Sequence, residues 1–272
     1  MADLADTRPG ELAGAAAGAA LARYYDLDLI EGEGDLDLYL ALAGASDGRV
    51  LELAAGSGRL AVPLAAVGHD VVAVDRDPHM LERARQRWAA TSDVADRGSL
   101  ELVEADLIGY EPDGRFDLVL IAFNSLLLLD RDTGQRAALE TVARAMDSDG
   151  RAVIDVWLPE PNDLALYDGR QVLDWVRHDD ERDEWVSKTT SARYASASRS
   201  AEITSIFDAW HDGSPPMRTL RQDRISFVTA SELVAAASAA GLSVETLAGD
   251  YELNPLADDS DRVVLICRPA SG

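Results

Sequence analysis

The chain has 272 residues, 47% of them hydrophobic, which is enough for a packed core and argues against disorder. Its 49 acidic and 25 basic residues give a formal net charge of −24, so its surface should repel nucleic-acid phosphates and anionic lipids. The single cysteine, Cys267, excludes an intramolecular disulfide framework and fits a reducing compartment. We therefore expect neither nucleic-acid nor membrane partners.

The segment 1–18 has acidic residues where a signal peptide has basic ones, and no run approaches the roughly 18 apolar residues of a membrane span. We expect a soluble, cytoplasmic protein. The acidic residues are 33 Asp and 16 Glu, and the basic ones are 24 Arg and one Lys. This composition is typical of a salt-adapted proteome, but a GC-rich genome also favours Arg over Lys, so both explanations stay open.

Residues 1–45 are predicted to form a helical N-terminal arm. The Ala/Gly-rich stretch 11–22 favours helix through its alanines, but its glycines weaken it, so we expect a frayed helix there. Residues 35–43 predict a better short helix, which ends at Gly44.

From Arg49 onward, short apolar runs alternate with helical patterns. This alternation is typical of a parallel sheet with helices on both faces. The predicted strands are 50–55, 71–75, 100–105, 116–123 and 151–157, and the predicted helices are 59–68, 78–90 and 135–146.

Past Pro161 the alternation stops, and residues 171–211 predict several strands with charged turns, an insertion rather than another strand–helix unit. The strand–helix pattern returns with a strand at 223–228 and a helix that follows it. Two last strands, 244–251 and 261–269, are predicted to pair antiparallel. The predicted units are an arm at 1–45, an α/β domain at 46–165 and 222–272, and a β-rich lid at 166–221.

A glycine-rich turn follows the first strand of the α/β domain. Gly56 and Gly58 allow a tight turn and the close approach of backbone to a ligand. Asp75 ends the second strand, where its carboxylate can accept both hydroxyls of a ribose. Glu52 lies within the otherwise apolar first strand, and a buried carboxylate is costly unless it has a partner. These features indicate a nucleotide-like ligand at the carboxyl edge of the sheet.

Four ordered sequence blocks carry a resemblance to the class I S-adenosylmethionine-dependent methyltransferases. It covers residues 48–158 closely and 225–269 in general layout. The blocks are Glu52-x-x-x-Gly56-x-Gly58, Asp75-x-Asp77-x-x-Met80-Leu81, Glu104-Ala105-Asp106-Leu107 and Phe116-Asp117-Leu118-Val119.

The resemblance implies an α/β, Rossmann-like fold: a seven-stranded mixed sheet with a terminal antiparallel strand pair, a helical N-terminal cap and a small β-rich lid. It also implies that S-adenosylmethionine lies across the carboxyl ends of strands one, two and four. The loop at Gly56 and Gly58 would meet the methionine part of the cofactor, and Glu52 would position that loop. Asp75 would bind the ribose hydroxyls.

The resemblance assigns the adenine end as well. Met80 would cover the ring, Asp106 would accept from its amino group, and the Leu107 amide would serve a ring nitrogen. Plain alternatives are core packing for Met80 and a helix cap for Asp106. The stretch 122–125 would line the transfer site. The full implied cofactor set is Tyr25, Glu52, Ala54, Gly56, Gly58, Asp75, Arg76, Met80, Asp106, Leu107, Ala122 and Asn124.

The arm and the insertion look like those of the glycine and amino-sugar N-methyltransferases. In that subgroup an arm tyrosine closes over the cofactor, so the resemblance points to Tyr25, with ordinary packing as the alternative. The insertion would roof the substrate site, and arm and lid would be mobile and become ordered when the cofactor binds. Candidate substrate contacts are Trp175, His178, Tyr194 and Tyr251, and for His178 a solvated charged turn is the alternative.

The implied function is transfer of a methyl group by in-line displacement to a nitrogen or oxygen of a small molecule, with S-adenosylhomocysteine as the second product. Nitrogen is favoured because no catalytic base is evident, and a neutral amine can attack without one. We expect no metal, since no ligand spacing is present. Two alternatives remain at this stage: an NAD-dependent oxidoreductase using the same glycine loop, and a non-catalytic cofactor-binding protein on the same fold.

Overall fold

A computed structural model describes residues 9–29, 34–45 and 48–270. The rest of the predicted arm, 1–8 and 30–33, lies outside the described residues. The strands are β1 (Val50–Leu53), β2 (Asp70–Asp75), β3 (Ser99–Glu104), β4 (Phe116–Ile121), β5 (Met146–Trp157), β6 (Asp168–Asp179), β7 (Glu184–Ala195), β8 (Ser200–Trp210), β9 (Met217–Ser226), β10 (Leu242–Ala248) and β11 (Arg262–Pro269). The helices are α1 (Pro9–Asp28), α2 (Leu36–Gly44), α3 (Ala61–Ala66), α4 (Pro78–Ala90), α5 (Gly134–Ala145), α6 (Pro161–Ala165) and α7 (Ala230–Ala239), with a 3-10 turn at Ser125–Leu128.

Seven strands form the main sheet in the order β3-β2-β1-β4-β5-β11-β10. The first five are parallel, and β11 pairs antiparallel with both β5 and β10. The predicted seven-stranded mixed sheet with its terminal antiparallel pair is thus confirmed. The chain leaves β1 toward β2 on one side and returns at β4 on the other. This topological switch point opens a crevice at the carboxyl ends of the strands.

Alternate residues of the central strands pack against helices on opposite faces of the sheet. Leu51 and Leu53 of β1 join the cluster under α5 and α7, whereas Val50 joins the cluster under α2 and α3. All four residues of β1 are buried, and each fully buried Leu or Val contributes about 1.5–3 kcal/mol relative to an exposed one. Because side chains alternate along a strand, Glu52 shares its face with Val50 and points toward α2 and α3.

The insertion folds as a separate four-stranded antiparallel sheet, the lid sheet, in the order β6-β7-β8-β9. One prediction about it is wrong. Residues 223–226 of the predicted strand 223–228 do not join the main sheet, because they end β9, which pairs with β8 from Ala209–Met217 to Ser200–Ser226. Alternating polar and apolar residues suit a sheet with one solvated face, whereas the two residues that follow, Phe227 and Val228, are buried in the main core. The lid sheet therefore extends past the predicted boundary at 221/222.

The helix α1 is continuous rather than frayed, and it lies between α4 and the lid sheet. Gly18 permits this contact, because a Cβ there would come within 2.4 Å of the His79 ring. Asp26, near its end, accepts from the Ser57 hydroxyl at 2.6 Å and pairs with Arg83 and Arg87 of α4 at 2.7 and 2.6 Å. No helix in the described ranges is long and apolar enough to cross a bilayer.

Candidate functional site

A cavity of about 330 Å³ opens at the carboxyl edge of the main sheet, between α1, α4 and the lid strand β9. Its volume lies in the range of small-molecule sites. The structure brings eight of the twelve predicted cofactor residues to its wall. They are Tyr25, Ala54, Gly56, Asp75, Arg76, Met80, Asp106 and Leu107.

Asp75 joins the first two strands at the floor of this cavity. Its Oδ2 accepts from the Gly56 amide at 2.8 Å and its Oδ1 from the Asp77 amide at 2.9 Å. Burial raises the pKa of the Asp75 carboxyl. Each carboxylate oxygen keeps a further lone pair after these bonds, so the group can still accept hydroxyls from a ligand.

The loop after β1 needs glycine at two positions, for different structural reasons. Gly56 has φ +56° and lies against the Tyr25 ring, since a Cβ there would be 3.8 Å from Tyr25 Cε1. Gly58 is not part of the cavity wall. A Cβ on Gly58 would approach the Ala84 Cβ to 2.9 Å and a Val62 methyl to 3.0 Å, so this glycine permits α4 to pack on the loop.

Glu52 lies beneath the loop and outside the cavity wall. It is only 4% exposed, and its Oε2 is the one buried side-chain oxygen or nitrogen of the described residues without a hydrogen-bond partner. Burial raises its pKa to about 8, against the opposing effects of Arg59 and of the Ala61 amide. Arg59 itself is held by Asp35 through two bonds of 2.6 and 2.7 Å. The carboxyl thus ties β1 to the start of α3, consistent with a positioning role.

The other end of the cavity is bounded by Met80, Asp106 and Leu107. Met80 and Leu107 are each 9% exposed and present apolar wall. Asp106 lines the cavity while its Oδ1 accepts from the Ile108 amide at 2.8 Å. Asp106 therefore both stabilises a local turn and faces the cavity.

The chain leaves β4 through a strained turn, which positions the cavity wall without lining it. Phe123 and Asn124 have φ of +53° and +63°, which costs non-glycine residues about 1–3 kcal/mol each. The Phe123 amide donates to the Asp155 carboxylate at 2.8 Å, and the Asn124 side-chain oxygen accepts from the Trp157 amide at 2.5 Å. The predicted residues Ala122 and Asn124 thus do not line the cavity, whereas the adjacent Ser125 does.

Asp155 is fully buried within β5 and holds this turn. Besides the turn amide, it accepts from the hydroxyls of Tyr39 and Tyr251, the latter at 3.0 Å, and pairs with Arg262 at 3.4 Å. Burial raises the pKa of Asp155, and the pKa of both tyrosines is raised as well. The sequence signal for Asp155 is the same as for Glu52, a single carboxylate inside an apolar strand.

The four candidate substrate residues do not line the cavity. Trp175 packs on Phe207 in the lid sheet and donates to Asp28 of α1 at 2.7 Å. His178 pairs with Asp180 in an exposed charged segment, which matches its plain alternative. The packing of the lid sheet and of β5 accounts for these positions and for those of Tyr194 and Tyr251. Tyr194 packs against Phe227, and Tyr251 belongs to the Asp155 network.

Sequence reasoning missed the roof of the cavity. The lid strand β9 contributes Arg221, Gln222 and Asp223, and Arg221 pairs with Asp223 at 2.7 Å. Strand alternation places Arg221 and Asp223 on one face, but a sequence does not show which face covers a cavity. The helix α1 adds Leu21, and the chain after β4 adds Leu128 and Leu129.

The residues present fit the cofactor expected from the sequence. Four carboxylates on the wall, Asp75, Asp77, Asp106 and Asp223, suit a ligand that carries a positive sulfonium. Asp75 offers acceptors for ribose hydroxyls, and Met80 and Leu107 offer apolar surface for a ring. The same cavity thus has the acceptors, the apolar walls and the charge that the cofactor needs.

Comparisons with known proteins agree with this geometry. Residues 50–150 match the model of a family described as a methyltransferase domain. The chain is 30% identical over 221 residues to the cypemycin N-terminal methyltransferase of a Streptomyces species, covering 81% of this chain and 83% of that protein. It is 34% identical over 113 residues to a ubiquinone/menaquinone biosynthesis C-methyltransferase of Geotalea uraniireducens, covering 40% of this chain and 46% of that protein.

The shared fold extends beyond the matched sequence. The solved structure of a sugar N-methyltransferase from Streptoalloteichus sp. ATCC 53650 aligns with a TM-score of 0.69 at 18% identity, covering 90% of this chain and 92% of that chain. The agreement therefore extends well beyond residues 50–150. The near-full-length match to a methyltransferase also replaces the alternative of an NAD-dependent oxidoreductase. The chain belongs to the class I S-adenosylmethionine-dependent methyltransferases.

Proposed function

We propose that this methyltransferase acts on an amine nitrogen of a small-molecule acceptor. The observation that carries the choice of nitrogen is the chemistry of the cavity wall. All four histidines of the chain lie in the described part, and none lines the cavity, which instead carries four carboxylates. A hydroxyl acceptor usually needs a base such as imidazole, whereas a neutral amine attacks unaided. An acidic wall attracts a protonated amine, which passes its proton to water or to a wall carboxylate before its lone pair attacks the methyl group.

Similarity supports the same choice. The relative that matches over 81% of this chain is named as an N-terminal methyltransferase, and the structural neighbour described above is named as a sugar N-methyltransferase. The C-methyltransferase relative matches over only 40% of this chain.

In the proposed reaction the bound cofactor supplies an electrophilic methyl group on its sulfonium sulfur. The protein aligns the acceptor and excludes water. The turn at Phe123 and Asn124, held by Asp155, fixes the wall after β4. The lid sheet covers the cavity through β9, and Tyr25 covers the glycine loop. Burial raises the pKa of Tyr25 to about 12, so its hydroxyl stays protonated at neutral pH.

The cofactor assignment is tested by calorimetric titration with S-adenosylmethionine, S-adenosylhomocysteine and NAD. We expect micromolar binding of the two sulfur ligands and no binding of NAD. Asp75→Ala should weaken both sulfur ligands by at least about tenfold, because it removes charged acceptors from the ribose position. Asp70→Ala is the matched control, since Asp70 lies at the exposed start of the same strand. Equal loss in both variants would contradict the assignment of Asp75.

The acceptor class is tested with pairs of compounds that differ only in an amine or a hydroxyl, such as an amino sugar and its parent sugar. Methyl transfer from labelled cofactor is followed by tandem mass spectrometry, which locates the methyl group. We expect methylation of the amine in each accepted pair and of neither hydroxyl. Methyl groups on oxygen would refute the choice of nitrogen, and no transfer to any compound would favour the non-catalytic alternative.

A further inference from the structure

The two cationic side chains on the described cavity wall, Arg76 and Arg221, lie on different layers of the protein. Arg76 follows Asp75 at the end of β2, on the floor. Arg221 belongs to β9, the edge strand of the lid sheet, and its Nε lies 2.7 Å from the Asp223 carboxylate. The Arg221 side chain remains 31% exposed, so it is available to a further anionic group.

Arg221 shares the cavity wall with Tyr25 and Gly56. The strand β9 packs against α1, and the charge of Arg221 acts on the Tyr25 hydroxyl, whose pKa it lowers against the larger effect of burial. The Tyr25 ring in turn covers Gly56, within 3.8 Å of where a Cβ would lie. Arg221, Tyr25 and Gly56 therefore bound one end of the cavity.

The cofactor carries one anionic group, the α-carboxylate of its methionine part. Among the acidic residues of this wall, that carboxylate requires a cation or a free amide. The Gly56 amide already donates to Asp75, and the nearby Arg59 is held by both oxygens of Asp35. Of the two cations on the described wall, we select Arg221, because its charge acts on Tyr25, which covers the glycine loop.

We propose that Arg221 binds the α-carboxylate of the cofactor, so that the lid sheet supplies a ligand for the cofactor itself. Asp223 holds the guanidinium over the cavity from the same face of β9. The lid is then retained by the cofactor as well as by its ion pairs with α1. This inference concerns the cofactor and is independent of the acceptor's identity.

The test is a thermodynamic cycle that removes the carboxylate of the ligand, the guanidinium of Arg221, or both. S-adenosylhomocysteine and its decarboxylated analogue are titrated calorimetrically into the wild-type chain and into Arg221→Gln. The wild type should prefer the carboxylate ligand by about tenfold to a hundredfold, the value of a charge-assisted contact. Arg221→Gln should reduce that preference to about threefold or less, while binding of the decarboxylated analogue changes little.

Arg218→Gln is the matched control, because Arg218 lies on the same strand, also pairs with an aspartate, and faces solvent. It should keep the wild-type preference. Arg221→Lys keeps the charge and should keep part of the preference. If Arg221→Gln does not unfold cooperatively, the lysine variant is the one compared with the wild type. Equal affinity of the wild type for both ligands, or an unchanged preference in a folded Arg221→Gln, would overturn the proposal.

Discussion

The buried Glu52 should make the stability of the protein fall as the pH rises through neutrality. Its folded pKa is raised from 4.5 to about 8, because burial disfavours the charged form. Below pH 4.5 the carboxyl is protonated in both the folded and the unfolded chain, so it costs nothing. Between pH 4.5 and 8 only the unfolded chain releases the proton, which favours unfolding by about 1.4 kcal/mol per pH unit.

The difference accumulates to about 3 kcal/mol at pH 7 and about 5 kcal/mol above pH 8, values that are large beside a typical folding free energy. Glu52→Gln removes this titration while keeping nearly the same shape. The variant should therefore gain stability over the wild type as the pH rises. Urea unfolding between pH 5 and 8.5, without cofactor, measures the free energy of unfolding of both proteins at each pH.

Other titrating groups cancel in the difference between the two proteins, so its slope isolates Glu52. Glu101→Gln is the control, because it is the same change at an exposed position on β3. A flat difference for Glu52→Gln would refute the reasoning. It would mean that the charge of Arg59 keeps Glu52 ionised in the folded protein at neutral pH, and that this attraction outweighs burial.

Three further changes test the glycine loop, the turn after β4 and the arm. Gly58→Ala should destabilise the protein by about 1–3 kcal/mol in urea unfolding, since its Cβ would crowd Ala84; unchanged stability would contradict the packing argument. Asp155→Ala should cost about 3–5 kcal/mol by the same measurement, because the hydroxyls of Tyr39 and Tyr251 and the charge of Arg262 would lose their acceptor. A loss below about 1 kcal/mol would show that the network is dispensable. Asp26→Ala should speed trypsin cleavage at Arg23, and cofactor should slow that cleavage in the wild type; equal rates throughout would refute a mobile arm.

The elements of the main sheet could be predicted because local signals agree there. The helix α4 runs from Pro78 to Ala90 as expected, since the Asp77 side chain accepts from the His79 amide and the proline fits the first turn. The buried strands appear as short apolar runs between glycine-rich turns. The floor of the cavity follows from them, because the ends of parallel strands meet at one edge.

The roof could not be predicted for a physical reason. The lid strands pair in sequence order, but their register, such as Ser205 opposite Arg221, is not fixed by an alternating pattern, which fits several registers equally. The same pattern does not show where the lid ends, so it predicts the wrong sheet for residues 223–226. Tyr251 is likewise a predicted substrate contact, although its hydroxyl donates to Asp155, 96 residues away.

Floor and roof of the cavity are held by different contacts. The floor is backbone and buried apolar surface, and a methyl added at Gly58, in the loop after β1, would come within 2.9 Å of the Ala84 Cβ. The lid is attached to α1 by an apolar cluster that includes Tyr24 and Phe207, and by ion pairs such as Arg23 with Glu184. The Arg23 side chain is only 10% exposed, so removal of one partner should cost more than at a surface pair. We therefore expect substitutions on the α1 side of the lid to destabilise the roof, and substitutions on the face of β9 that covers the cavity to change acceptor choice.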